Sequence, residues 1–291
     1  MDSRPFRSVL YIPGSKERAL EKARTLPADA IIFDLEDAVA PEEKANARKT
    51  LAHALTTTDY GPRARLVRIN GFESDWASAD LDALADVRPE AILLPKVSES
   101  RDIELLAHRL DARPETADTV IWAMMETPQA VLNAASIATA PRMAGFVMGT
   151  NDLAKELGCR HRADRLPLQM ALQTCLMAAR AAGIVAVDGV FNAFRDAEGL
   201  RAECEQGRDL GFDGKTLIHP DQLAIANEVF APSEDALDLA RRQIAAFDAA
   251  RARGQGVAVV DGRIVENLHI VTARQVLGRA GAIAQLQAAM G

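Results

Sequence analysis

Cysteine is scarce: Cys159, Cys175 and Cys204 are the only three in 291 residues, with no CxxC pair and no Cys/His ligand spacing. An odd, unpaired set excludes a disulfide framework and a structural zinc site, and reduced thiols are expected. Long apolar runs are also missing. No uncharged stretch reaches about 18 residues, and the opening "MDSRPFRSVLYIPGS" has no apolar core of signal-peptide length. A cytoplasmic protein without a membrane partner is expected. Basic residues are in deficit, with 34 Lys and Arg against 41 Asp and Glu and a net charge of -7. General nucleic-acid binding, which needs a basic face to displace counterions, is disfavoured, while small anionic ligands stay possible. A G-x-S-x-G elbow, a Ser-His-Asp order, a Walker A loop and a GxGxxG turn are all absent. The histidines are too scattered to build a metal site. What is present is the balance of a globular protein, 48% hydrophobic and 26% charged, long enough for one large domain or two modest ones.

Eight short apolar, β-branched runs recur along the chain: "RSVLYIPG" (7–14), "AIIFDLED" (30–37), "RLVRIN" (65–70), "AILLPKV" (91–97), "VIWAMMET" (120–127), "AGFVMGT" (144–150), "VAVDGV" (185–190) and "KTLIHP" (215–220). Between them lie stretches such as "PEEKANARKTLAHAL", whose apolar residues return every three or four positions. Strand alternating with helix predicts parallel pairing, and eight units in about 220 residues predict an α/β fold of the (β/α)8 TIM-barrel type; a doubly wound open sheet is the alternative. After His219-Pro220 the pattern changes to one long helical stretch (about 221–252), a Gly-rich break, the hairpin-like "VAVVDGRIVE" and a final helix from about 271 to 289. The Asp261-Gly262 pair between two apolar arms is a strong hairpin signal. The reading is a catalytic barrel over 1–222 and a C-terminal helix-hairpin-helix lid or arm over 223–291.

In such a barrel the residues just past each strand share one mouth, where barrel enzymes keep their chemistry. Asp34, Glu36 and Asp37 end one greasy strand, and three carboxylates there are costly to desolvate unless something positive compensates them. Glu36, Asp37, Glu126 and Asp152 offer only oxygen, the donor set that Mg²⁺ prefers. Arg68, on a neighbouring tip, could hold a ligand carboxylate with two parallel hydrogen bonds or could pair with Glu36 or Asp37. For Asn151 or Asp152 and for Thr127 the plain alternative is helix capping. Glu126 is harder to explain that way, because it closes the apolar run "VIWAMME". Arg18 and Lys22, four apart on the first helix, either meet an anion or pair with Glu21. His219 reads by itself as a packed, hydrogen-bonded histidine.

Together, "SVLYIPGS", "IIFDLEDAVAPEEKANAR", "VRIN", "ILLPKV", "METPQAV", "MGTNDLA", "GFDGKTLIHPDQ" and "VVDGRIV" resemble the citrate lyase β-subunit-like group of the HpcH/HpaI aldolase superfamily nearly end to end. That resemblance implies a Mg²⁺-dependent barrel enzyme, with Mn²⁺ as a substitute, acting on a CoA thioester. It implies Glu126 and Asp152 as direct metal ligands, with Glu36 and Asp37 holding metal-bound waters behind them. Arg68 would grip a 2-oxo acid carboxylate, Tyr11, Arg18 and Lys22 would line the CoA path, and Ile218 and His219 would touch the CoA arm. Position 18 is often lysine in the family. Asp261 would be the catalytic acid, supplied by the lid of a neighbouring subunit in a homotrimer or dimer of trimers. The expected activity is that of an acyl-CoA lyase cleaving or forming the C–C bond of malyl-CoA, citramalyl-CoA or citryl-CoA. The alternatives are a malyl-CoA thioesterase and the complex-bound β-subunit of a citrate lyase.

Overall fold

The computed structural model describes residues 4–290. Eight parallel strands, β1 (Ser8–Pro13), β2 (Ala30–Asp34), β3 (Ala64–Arg68), β4 (Ala91–Leu94), β5 (Val120–Met125), β6 (Met143–Met148), β7 (Val185–Asp188) and β8 (Gly214–Leu217), close into a barrel as β8 pairs with β1. The expected TIM barrel is therefore present. Each strand stops a few residues short of its apolar run, so the mouth residues sit on the loops beyond.

Helices α1 (Glu17–Ala23), α2 (Lys44–Thr57), α3 (Ala77–Leu84), α4 (Ser100–Asp111), α5 (Pro128–Leu132), α6 (Ala134–Ala138), α7 (Thr150–Leu157), α8 (Gln169–Ala182), α9 (Ala197–Leu210) and α10 (Leu223–Val229) lie between or after the strands. Strand side chains alternate between two faces. One set, Val9, Ile32, Leu66, Leu93, Trp122, Met124, Val147 and Val187, fills the barrel; the other, including Leu10, Phe33, Val67, Ile92, Met125 and Phe146, packs among the residues beneath the helices. The same two-residue step carried one position further brings Tyr11, Asp34, Arg68 and Glu126 to the top of the interior.

The long helical stretch expected over 221–252 is interrupted. α10 ends at Val229, and α11 (Glu234–Ala252) begins after Pro232 with Ser233 accepting the Ala236 N–H. Proline lacks the donor that would continue the first helix, and the serine caps the second. α10 packs on α9, β1 and β8 as part of the barrel wall, and we propose the break at 230–233 as the division between barrel and arm. The arm holds α11, the antiparallel hairpin β9 (Ala258–Val260) and β10 (Arg263–Val265), and α12 (Asn267–Met290). Asp261 and Gly262 both have positive φ, 51° and 72°, the conformation a two-residue hairpin loop demands. The arm has a small core of its own, with Phe247, Ala250, Ala258, Val265 and Ile270. Among the described residues no helix is long and apolar enough to cross a membrane.

Candidate active site

A cavity of about 310 Å³ opens at the C-terminal end of the strands, lined by Tyr11, Asp34, Asp37, Arg68, Glu126 and Asp152 among others. A larger one of about 460 Å³ lies around Arg65, Arg88, Glu90 and Thr119 near the N-terminal ends of β3 and β5, away from the carboxylate cluster and from the end where such barrels keep their chemistry.

Arg68 lies at the centre of the first charge group. Its Nε and Nη2 meet Asp34 Oδ1 and Oδ2 at 2.7 and 2.5 Å, a bidentate pair between register partners on β2 and β3. Nη1 is left for the mouth, 2.7 Å from Glu36 Oε2 and 3.6 Å from Asp37 Oδ2. The contact with Glu36 is close but out of hydrogen-bond alignment, so Oε2 is buried with no hydrogen-bond partner. Burial pushes the Glu36 carboxyl up to about 7, with the Arg68 charge opposing and Asp37 and Glu126 adding to the rise. Burial likewise raises the Tyr11 hydroxyl well above its ordinary range; its ring lies over the Arg68 guanidinium at 5.0 Å. Arg68's expected partners, Glu36 and Asp37, are thus secondary to Asp34. Lys44, also unforeseen, is buried beneath the same loop and donates to the carbonyls of Leu35 and Glu36 at 2.9 and 2.7 Å.

Glu126 and Asp152 form the second group, with Lys96 between them. Glu126 is 1% exposed, accepts the Lys96 backbone N–H on Oε1 at 2.7 Å, and has its carboxyl raised by burial. The Lys96 ammonium is 3.5 Å from that oxygen and 3.1 Å from Asp152 Oδ2. Gly149 makes room: a Cβ there would lie 2.3 Å from the Glu126 Cβ and 2.6 Å from its Oε2. Asp152 stands in the first turn of α7, whose cap position is Gly149, so neither Asn151 nor Asp152 is the cap; Thr127 does cap α5, accepting from Ala130. Two facing carboxylates, one of them desolvated, already draw a cation between them, and the orphaned Glu36 oxygen is buried beside Arg68, which lines the same cavity. This donor set fits a hard divalent ion. Among the described residues no three His, Cys, Asp or Glu side chains converge, which leaves a metal ion's remaining positions to water and substrate.

The other expected residues divide. Tyr11 and Ile218 line the cavity. His219 caps the turn after β8, its Nδ1 accepting from the Asp221 N–H, and stacks on Phe194 at 4.6 Å. Arg18 and Lys22 are exposed on α1, and Glu21 pairs with Arg24 rather than with either. Asp261 is outside this chain's cavity. It is exposed at the hairpin tip, and Arg242 Nη1 donates to both its oxygens at 2.7 and 2.8 Å.

Comparison with known proteins corrects the expected lyase activity. The chain is 65% identical over 284 residues, 98% of each chain, to a (3S)-malyl-CoA thioesterase of Cereibacter sphaeroides (strain KD131 / KCTC 12085). It is only 35% identical, over 96% of this chain and 95% of the relative, to an L-malyl-CoA/beta-methylmalyl-CoA lyase of Cereibacter sphaeroides (strain ATCC 17025 / ATH 2.4.3). These similarities speak against the C–C lyase reading and favour the hydrolytic alternative. The metal, carboxylate and CoA roles that the resemblance implies for these motifs would serve either reaction, and no motif shows whether water reaches a thioester carbonyl. The crystal structure of CitE from Mycobacterium tuberculosis in complex with magnesium, acetoacetate and coenzyme A matches with a TM-score of 0.79 at 31% identity, over 97% of this chain and 100% of that one. The family model for HpcH/HpaI aldolase/citrate lyase matches residues 7–220, spanning all eight barrel strands, and the chain belongs to the HpcH/HpaI aldolase/citrate lyase family.

Proposed function

We propose that the protein hydrolyses the thioester of a short 3-hydroxy-carboxyacyl-CoA, with (3S)-malyl-CoA the first candidate. The observation that carries this reading is the 65% identity to a (3S)-malyl-CoA thioesterase over nearly all of both chains. Glu126 and Asp152, with Glu36 and Asp37 behind them, would hold a Mg²⁺ or Mn²⁺ ion, which when bound would supply Lewis-acid polarisation of the acyl group.

Arg68 presents Nη1 to the substrate carboxylate, its other edge being fixed by Asp34. Tyr11 and Ile218 flank the acyl end, while His219, Arg18 and Lys22 mark the path of the CoA arm. Glu36 takes a proton from the attacking water. A carboxyl at about 7 is matched to that task near neutral pH, where a normal glutamate is a weaker base. The new C–O bond forms as the C–S bond breaks, the electron pair leaves on sulfur, and the proton held by Glu36 returns to the thiolate. Asp261 of a neighbouring arm, held by its own Arg242, completes the mouth as the acid that relays this proton from Glu36 to the leaving sulfur.

Purified protein given malyl-CoA should release CoA thiol and malate in equal amounts, with activity lost in excess EDTA and restored by Mg²⁺. Acetyl-CoA and glyoxylate as the products would overturn the reading, and so would full activity in the chelator. The Glu36 assignment makes a separate prediction. Because a base works deprotonated, kcat/KM should fall as pH drops through about 7 or somewhat below, since a nearby divalent ion favours the ionised form. Glu36→Gln should lower the rate about a hundredfold and remove that acid limb; an unchanged pH profile would exclude Glu36 as the base.

A further inference from the structure

Lys96 is used by none of the chemistry above, yet it touches both proposed metal ligands. Its backbone has φ 54°, the left-handed region that glycine enters freely and a side-chain-bearing residue enters at a cost. Such a conformation persists where the surrounding structure enforces it. Here the main-chain N–H is fastened to Glu126 Oε1 at 2.7 Å, and the side chain turns back over the same carboxylate to reach Asp152. One residue thus contacts the pair with a fixed group and a movable one. Its side chain is 31% exposed, so the ammonium has an open route to water while the amide stays in place.

We propose that Lys96 is the built-in counter-cation of the metal seat: its ammonium and the divalent ion share the Glu126–Asp152 pair by exchange, the ammonium swinging outward as the metal enters. The inference rests on the metal reading given under the proposed function. Without a cation between them the two carboxylates would repel each other, one of them in a desolvated setting. Lysine suits the exchange because it is a point charge on a flexible stem, whereas an arginine fork would hold a carboxylate by two bonds. The consequence is a site that stays organised without metal and releases metal readily, at the expense of affinity.

Mg²⁺ and Mn²⁺ titrations by isothermal calorimetry on wild type, Lys96→Met and Lys96→Gly test this without an activity assay. Both variants keep the N–H donated to Glu126 and lose the ammonium, and the glycine variant also relieves the left-handed backbone. Both should bind Mg²⁺ at least about tenfold more tightly than wild type, since the competing charge is gone. Unchanged or weaker binding in folded variants would overturn the inference and make Lys96 an orienting residue instead. Wild-type protein gives a second reading, which holds even if neither variant folds. Reductive methylation followed by peptide mass spectrometry should label Lys96 faster with saturating Mg²⁺ than without it, with exposed Lys16 and Lys155 as controls. Equal or slower labelling at Lys96 contradicts the exchange. If wild type binds no divalent ion at all, the metal reading fails, a result distinct from metal binding that Lys96 does not affect.

Discussion

Replacing Glu126 with glutamine should reduce turnover at least about a thousandfold, about 4 kcal/mol of transition-state stabilisation, while the fold stays intact. Glutamine keeps the shape of the side chain and an oxygen for the Lys96 N–H, but it removes the charge that would bind the metal. Burial already disfavours the ionised form of Glu126, so neutralising it costs the folded state little. The melting temperature should stay within a few degrees of wild type. Gly149→Ala is the companion experiment, because it leaves every charge in place. The added methyl would stand 2.3 Å from the Glu126 Cβ, far inside van der Waals contact, and must push the carboxylate from its seat. Overpacking of this kind costs about 1–3 kcal/mol of stability. Turnover should fall by at least about a hundredfold and Mg²⁺ affinity should fall with it, as read by steady-state kinetics and calorimetry. Near-normal turnover in Gly149→Ala would mean that the position of the Glu126 carboxylate is not critical, and with it the metal assignment would fall.

The parts of this site that were legible in the sequence are those written in a single strand's own pattern. Glu126 ends an apolar run, and period-two alternation alone carries it to the top of the barrel interior. Arg68 was legible as a mouth residue, but its partner was not. Asp34 and Arg68 face each other because β2 and β3 pair in one register, and neither strand's pattern contains that alignment. The strand tips suggest a ligand or a pair with Glu36 or Asp37, and those two carboxylates make the weaker contacts with Arg68. Lys96 stands near the end of the run "AILLPKV", and nothing in that run marks it further. Its reach to both carboxylates depends on a left-handed backbone angle that lysine does not advertise. The break between α10 and α11, by contrast, had a signal in Pro232 and Ser233 that the long helical periodicity masked. Hydrolysis against C–C cleavage was not legible at all, because both reactions would use the same charged groups, and only similarity over the whole chain favours the first.

Asp261 should act on a neighbouring subunit's barrel. The arm packs chiefly on itself, through α11, α12 and the hairpin, and α11 alone carries its end about 28 Å at 1.5 Å per residue. Arg242 and Asp261 travel on the same arm, so the carboxylate arrives already oriented by its two hydrogen bonds. Two different apolar surfaces are left uncovered. The arm exposes Val257, Val259, Ile264, Leu268 and Val271, and α5 and α8 of the barrel expose Leu132, Met170 and Met177. Distinct rather than self-complementary patches favour a head-to-tail contact, which closes into a ring such as a trimer. Each site would then combine one chain's Glu126 with another chain's Asp261. Glu126→Ala and Asp261→Ala proteins, each inactive, should regain about a quarter of wild-type activity when dissociated together and reassembled in equal amounts. Half of the barrels and half of the arms are intact, and they meet independently. In a cis arrangement every site carries one defect whatever its neighbour is. Mixed oligomers verified by mass analysis that stay as inactive as their parents would therefore place Asp261 outside the neighbouring site.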